Sequence, residues 1–385
     1  MANQIIKVLK YTISILCYYC GFIYLFKKGK KLLGLNQIKI MAYHNISDVF
    51  PNYLNLSQSP ALFEAQIKYL QEKYEIISLY QALSLIENRT KLDSDKFVIT
   101  LDDNYKEYYT EVLPIKKRYN VDMTLFVSID PLSGNEPLFV ESVIYSIEDT
   151  KSNKLDMRKY DLDLYSLNNQ EEKQKAIYEI NEYSKILPRK ERKDLLYDIY
   201  KQLNIDKNTL RNTTLTWNEL IEMKNNGINI GSHTISHPFL TLMPYEEAEY
   251  EIKESKIILE KKLNTNIDFF AYPFGNKSSY NEKVIDIVND AGYLGACVLN
   301  QQETLKNPFC LKRININSTT CSLWGNKFNK YVFEMNISGF FDLLFFRFLR
   351  NHGKDMPIIC DNSLSRNVSF RRTYFDEDDN SMTVY

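Results

Sequence analysis

The chain has 385 residues, 44% hydrophobic and 25% charged, with a formal net charge of -1. That length holds one large folded domain or two ordinary ones, and the composition is not that of a disordered chain. A charge so near zero provides no electrostatic footprint for nucleic acid, so no nucleic-acid partner is expected.

Residues 11–26 are uncharged and largely apolar, with Lys7 and Lys10 before them and Lys27, Lys28, Lys30 and Lys31 after. A comfortable bilayer span needs about 20 apolar residues, and this run is shorter. No small-residue cleavage site follows, which argues against a removed signal peptide. Three readings stand: an uncleaved anchor, an interfacial helix held by lysines at anionic headgroups, or a helix packed on the domain. Residues 1–36 are therefore set apart as a membrane-associated or packing segment. Membrane contact is expected through residues 7–31, and the location is either membrane-associated or cytoplasmic. Cys17 and Cys20 lie inside the apolar run and read as filler. With Cys297, Cys310, Cys321 and Cys360 they form no disulfide or zinc spacing, which fits a reducing compartment.

Strands and helices then alternate. Strands are expected at 38–43, 97–101, 123–127, 228–230, 267–271 and 293–298, and helices at 60–73, 107–119, 217–225, 245–263 and 282–291. Ser255 and Lys256 are placed on the surface of the long helix. This rhythm predicts an α/β fold, a distorted (β/α) barrel of seven or eight strands, over residues 37–320. Residues 141–212 break it; they are polar and rich in Lys and Glu, with Leu195, Leu196, Ile199 and Leu203 periodic, and read as a helical insertion on a barrel loop. The remainder, 321–385, divides into an amphipathic segment at 337–349 and an acidic mobile tail containing Asp376, Glu377, Asp378 and Asp379.

Three segments just past strand ends carry chemistry, where active-site groups collect in parallel α/β folds. In Thr100-Leu101-Asp102-Asp103-Asn104, two adjacent carboxylates end an apolar strand, a costly placement unless a cation uses the charge. A turn must begin there for both to reach one site, and Asn104 tolerates the positive φ it would need. In Gly231-Ser232-His233-Thr234-Ile235-Ser236-His237, two of the chain's 4 histidines stand four apart, so one helical turn would bring both imidazoles to one face. Carboxylate and histidine together point to a metal with room for water. In Ala271-Tyr272-Pro273-Phe274-Gly275 a strand enters a Pro-x-Gly turn whose backbone N–H groups could hold an oxyanion. His44, after the first strand, is open to three readings: a ligand, a proton donor, or no role.

Together these segments resemble the polysaccharide deacetylase family, carbohydrate esterase family 4, whose members remove acetyl groups from chitin oligomers, peptidoglycan or poly-N-acetylglucosamine. The family's Thr-Phe-Asp-Asp-Gly motif is matched by Thr100-Leu101-Asp102-Asp103-Asn104. Its histidine pair is matched by His233 and His237, and its Arg-x-Pro-Tyr/Phe-Gly-like motif by residues 271–275. The resemblance runs from about residue 38 to 316 and implies a distorted barrel. It implies a divalent metal, zinc first among candidates, on Asp103, His233 and His237, with Asp102 as general base and the Phe274 N–H at the oxyanion. The substrate implied is a glycan or amino sugar, with Tyr272, Pro273 and Arg313 as substrate-binding positions. Many members supply the leaving-group acid from a late histidine, but after His237 this chain has only His352. Tyr43-His44 resembles instead the branch containing poly-N-acetylglucosamine deacetylases, which implies that His44 is the acid. Ala271 departs from the family arginine that orients the base, and Arg313 is a replacement on charge. Two other expectations stand beside this one: a non-catalytic glycan-binding module, and a deacylase of a lipid-linked or O-acylated sugar.

Overall fold

A computed structural model of the chain describes residues 2–48, 57–134, 137–206, 213–299, 307–322 and 327–340. Its strands are β1 (Ile38–Tyr43), β2 (Glu75–Ile76), β3 (Lys96–Asp102), β4 (Met123–Val127), β5 (Lys154–Asp156), β6 (Leu164–Ser166), β7 (Ile228–Ser232), β8 (Phe269–Ala271), β9 (Gly295–Val298) and β10 (Leu311–Asn315). The order β1-β10-β9-β8-β7-β4-β3 returns from β3 to β1 and closes a seven-stranded parallel barrel, with β2 extra beside the start of β3. The fold is thus the distorted (β/α) barrel expected.

Parallel strands covered on both faces read as apolar runs, and β1, β4, β8 and β9 are buried at every position. The closing seam is the longest pairing, from Ile38 opposite Lys96 to Tyr43 opposite Leu101. Helices between strands pack outside. Pro60–Lys73 begins where Ser59 accepts a hydrogen bond from the Leu62 N–H and Pro60 fills a first-turn position needing no donor. It buries Leu62, Phe63, Ile67 and Leu70 against the barrel. On the helix Tyr245–Leu263, Ser255 is not on the surface. It is fully buried, and its hydroxyl meets that of Ser232 on β7 at 2.7 Å.

Between β4 and β7 the chain builds a separate layer. The helices Phe139–Asp149, Gln170–Ser184 and Arg189–Leu203 enclose their own apolar cluster, including Val143, Ile144, Ile177, Leu195 and Ile199. This segment is not purely helical, because β5 and β6 pair as an antiparallel hairpin within it.

The apolar run near the N-terminus forms two helices, Ala2–Tyr19 and Phe22–Leu32, separated at Gly21, whose φ is 70°. No helix among the described residues is long and apolar enough to cross a membrane. Ile23 instead packs with Met335 and Phe340 at the helix Lys330–Ser338. Residues 341–385, with His352, Cys360, the acidic tail and most of the 337–349 segment, lie outside the described residues.

Candidate active site

The C-terminal ends of β1, β3, β7, β8 and β10 bring the motif residues together. Asp102 is the last residue of β3, and Asp103 turns the chain with φ 71°. That turn defeats the strand's alternation and aims both carboxylates into one site. The left-handed residue is therefore Asp103, not Asn104 as the sequence suggested. Asn104 works as a clamp: its Nδ2 donates to the Ser128 carbonyl and its Oδ1 accepts from the Ser128 N–H, both at 3.0 Å. This ties the exit of β3 to that of β4.

The histidine pair does not lie on a helical turn. Residues 233–237 form a loop after β7, with Thr234 at φ 69° and His237 at φ 53°. Left-handed conformations at non-glycine residues cost of order 1–3 kcal/mol each and need support. Thr234 Oγ1 accepts from the His237 N–H at 3.0 Å, and buried Glu251 accepts from the Ile235 and Ser236 N–H groups at 2.8 Å each. His233 Nδ1 lies 2.7 Å from the Ala271 carbonyl, which fixes that nitrogen as the donor and leaves Nε2 bare.

Both Nε2 atoms face Asp103 Oδ1, at 3.8 Å from His233 and 3.6 Å from His237. One ligand atom from each of the three residues lies within 4.8 Å of the others. Ligands about 2.0–2.1 Å from a tetrahedral zinc would stand about 3.4 Å apart, slightly closer than here. Asp103 Oδ1 is buried with no hydrogen-bond partner. Burial, then the Glu141 and Asp102 carboxylates, push the Asp103 pKa well above the usual carboxylate range. Burial holds both imidazoles below their ordinary value, the form that binds metal. An orphaned carboxylate oxygen between two neutral imidazoles fits a divalent cation. Asp103→Ala and His233→Ala should each abolish stoichiometric zinc binding, read by metal analysis of the purified protein.

Asp102 has a different environment. Burial opposes its charge, but Arg313 from β10 overrides this with paired contacts of 2.5 Å to Oδ1 and 2.7 Å to Oδ2. The Asp102 pKa is held down at about 2. Arg313 is fully buried, so its guanidinium is enclosed against Asp102 rather than open to a substrate. It reaches Asp102 from β10, whereas Ala271 on β8 carries no charge. His44 Nε2 lies 3.7 Å from Asp102 Oδ2, and burial lowers the His44 pKa to about 4. The Tyr108 hydroxyl is 2.6 Å from the Asp102 carbonyl and 2.7 Å from that of His44, joining the ends of β3 and β1. Tyr108 opens a π-helical turn, Tyr108–Val112, a distortion that recurs near functional sites.

Phe274, also left-handed at φ 62°, places its ring 4.9 Å from that of His237. Gly275 follows with the same φ, and a Cβ there would come within 2.7 Å of the Leu299 nitrogen, so this turn requires glycine. Tyr272 and Pro273 are buried; the Tyr272 hydroxyl donates to the Phe309 carbonyl at 3.1 Å. Tyr272 therefore frames the turn from inside rather than offering its side chain to a substrate.

Two residues of the inserted layer reach the site without having been expected there. Glu141 accepts from the Tyr105 hydroxyl at 2.6 Å, behind Asp103. Arg192 donates to the His237 carbonyl at 3.2 Å and to Ser236 Oγ at 2.9 Å, bracing the strained loop. Their one sequence signal is register: Arg192 continues the stripe of Leu195 and Ile199, a poor position for an unpartnered charge. Arg192→Met is expected to weaken zinc affinity about 10- to 100-fold, the usual effect of losing support behind a ligand. Competition with a chromogenic chelator measures this, with the melting temperature of the metal-free protein as control for general damage.

Residues 168–296 match the sequence profile of the polysaccharide deacetylase family, a stretch that includes His233, His237 and Phe274. Over that stretch the chain resembles a polysaccharide deacetylase domain. It is a hydrolase of that type. YxkH of Bacillus subtilis (strain 168), provisionally named a polysaccharide deacetylase, is 21% identical over 303 residues, covering 78% of this chain and 77% of that one. Among solved structures, the Streptococcus pyogenes deacetylase PplD in complex with acetate is 22% identical with a TM-score of 0.49, covering 74% of this chain and 94% of its own. IcaB from Ammonifex degensii is 14% identical with a TM-score of 0.47, covering 74% and 96%. Glu141 and Arg192 reach the surroundings of Asp103 and His237 from the segment between β4 and β7.

Proposed function

We propose that the domain removes an acetyl group from an N-acetylated sugar of a polysaccharide or glycan precursor, with a divalent cation, zinc first, on Asp103, His233 and His237. The observation that carries this reading is the pairing of two unlike carboxylates at one turn: Asp103 facing two imidazoles, and Asp102 gripped by Arg313. A cation bound by the first group supplies Lewis-acid chemistry at neutral pH.

The protein's own residues do the rest. Asp102, ionised through Arg313, takes the proton of the attacking water. The same grip makes it a weak base, so the proton must move on. His44, neutral because burial holds it near a pKa of 4, lies 3.7 Å away and can receive it. It then protonates the departing amine, which is a poor leaving group otherwise. The Phe274 N–H, on its left-handed turn, offers a donor to the developing oxyanion.

Ala271 and the missing late histidine are what a glycan-binding module without catalysis would rest on. Arg313 beside Asp102, and His44 beside both, weigh against that reading. The test is acetate release from N-acetylglucosamine oligomers by the zinc-loaded protein. Release is expected, abolished by a chelator and restored by zinc. Release from O-acetylated sugars alone would move the substrate class, and no release with zinc stoichiometrically bound would move the domain to the binding module.

A further inference from the structure

The helix Phe22–Leu32 wears its amphipathic character inside out. Ile23, Phe26, Lys27 and Lys30, spaced i, i+3, i+4 and i+7, turn toward the domain. Ile23 is buried against Met335 and Phe340, and the Phe26 ring meets that of Phe340 at 5.6 Å. Lys27 pairs with buried Glu334 at 3.0 Å, and Lys30 with buried Asp95 at 2.8 Å. Two lysines are thus consumed inward. The outward stripe carries Tyr24, Leu25 and Leu32, which are 67%, 62% and 77% exposed, together with the exposed Lys28 and Lys31. Leu33 and Leu35, just after this helix, and Leu16 and Tyr19, on the preceding one, are each more than half exposed. Nearly half of the exposed large apolar side chains among the described residues fall in this stretch.

A helix that only covers a soluble domain puts leucine in and lysine out. A concentrated apolar patch marks a surface made to be covered. Its chemistry decides by what. Leucines and tyrosines interleaved with lysines are the composition of a helix lying in a bilayer interface. No acidic residue precedes Asp48, so these two helices themselves carry no charge that repels anionic headgroups. We propose that residues 16–35 form a peripheral docking surface for an anionic lipid bilayer, lying on the membrane without spanning it. This does not depend on the deacetylase reading.

The test is co-sedimentation of the full chain with vesicles of phosphatidylcholine, or of phosphatidylcholine and phosphatidylglycerol in equal parts. Binding is expected on the anionic vesicles, at least tenfold stronger than on the neutral ones and reversed by high salt. Lys28→Glu with Lys31→Glu should lower anionic binding at least tenfold. Leu25→Ser with Leu32→Ser should weaken binding to both kinds of vesicle, and neither pair should change zinc content. No binding to anionic vesicles overturns the proposal. So does binding that both pairs leave intact, which places the contact elsewhere in the chain, or retention through alkaline carbonate, which indicates integral insertion. Self-association lost in the leucine variants without vesicle binding would assign the surface to a second copy of this chain.

Discussion

Asp102→Asn is expected to lower acetate release by a factor of about 10² to 10⁴, the usual contribution of a positioned general base, while zinc content stays stoichiometric. The amide keeps the shape of the carboxylate and one acceptor for Arg313 but cannot take a proton from water. Asp103→Ala should lose the metal as well, so the two variants separate the roles of two neighbours in sequence. Steady-state kinetics beside metal analysis reads both. Near-normal turnover in Asp102→Asn would mean that another group accepts the water proton, and would leave the ion pair with Arg313 a structural role only.

The second large effect concerns Arg313. Arg313→Met removes one member of a fully buried ion pair and strands the Asp102 charge in the barrel. Such breakage costs about 3–5 kcal/mol, enough to lower the melting temperature by roughly 5–10 °C. Turnover should fall too, since an unpaired buried Asp102 would hold its proton. Adding Asp102→Asn to Arg313→Met should recover part of the lost stability, the signature of coupled sites. The sign with pH follows from the depressed Asp102 pKa, from an ordinary carboxylate value to about 2. The pair's contribution is complete above pH ~4 and is lost as pH falls from there through about 2. Arg313→Met should therefore flatten the acid limb of the stability curve. A variant with unchanged melting temperature and unchanged acid limb would show that the pair carries no net stability.

Much of the barrel was legible in the sequence because its strands are buried on both faces. Met123–Val127 and the helices Trp217–Asn225 and Tyr245–Leu263 fall where pattern alone puts them. β10 was the strand least visible. Leu311–Asn315 contains a lysine and an arginine in five residues, and Arg313 is tolerated in the core only because a carboxylate from a distant strand meets it. The histidine pair misled for a related reason. Spacing of four suits a helix, but the loop is held by groups remote in sequence: Glu251 on one helix, Arg192 on another, and the Ala271 carbonyl at the end of β8. Asn104 misled through a local preference that tertiary bonds to Ser128 overrode. In each case the residue type was read correctly, and the conformation came from partners that no window of sequence contains.

The late place of β10 in the chain has a consequence for how the enzyme comes into being. The Arg313 guanidinium lies 211 residues after the carboxylate it grips. At translation rates of about 5–20 residues per second, roughly 10–40 s separate their appearance at the ribosome. Through that interval the emerging chain already holds Asp102, Asp103 and, for its last part, both histidines. A half-made barrel would contain the candidate metal ligands before it contained the partner of Asp102. On the proposed mechanism, hydrolysis waits for β10 to slot beside β1, and a chain stalled or clipped before residue 313 is expected to contribute no turnover.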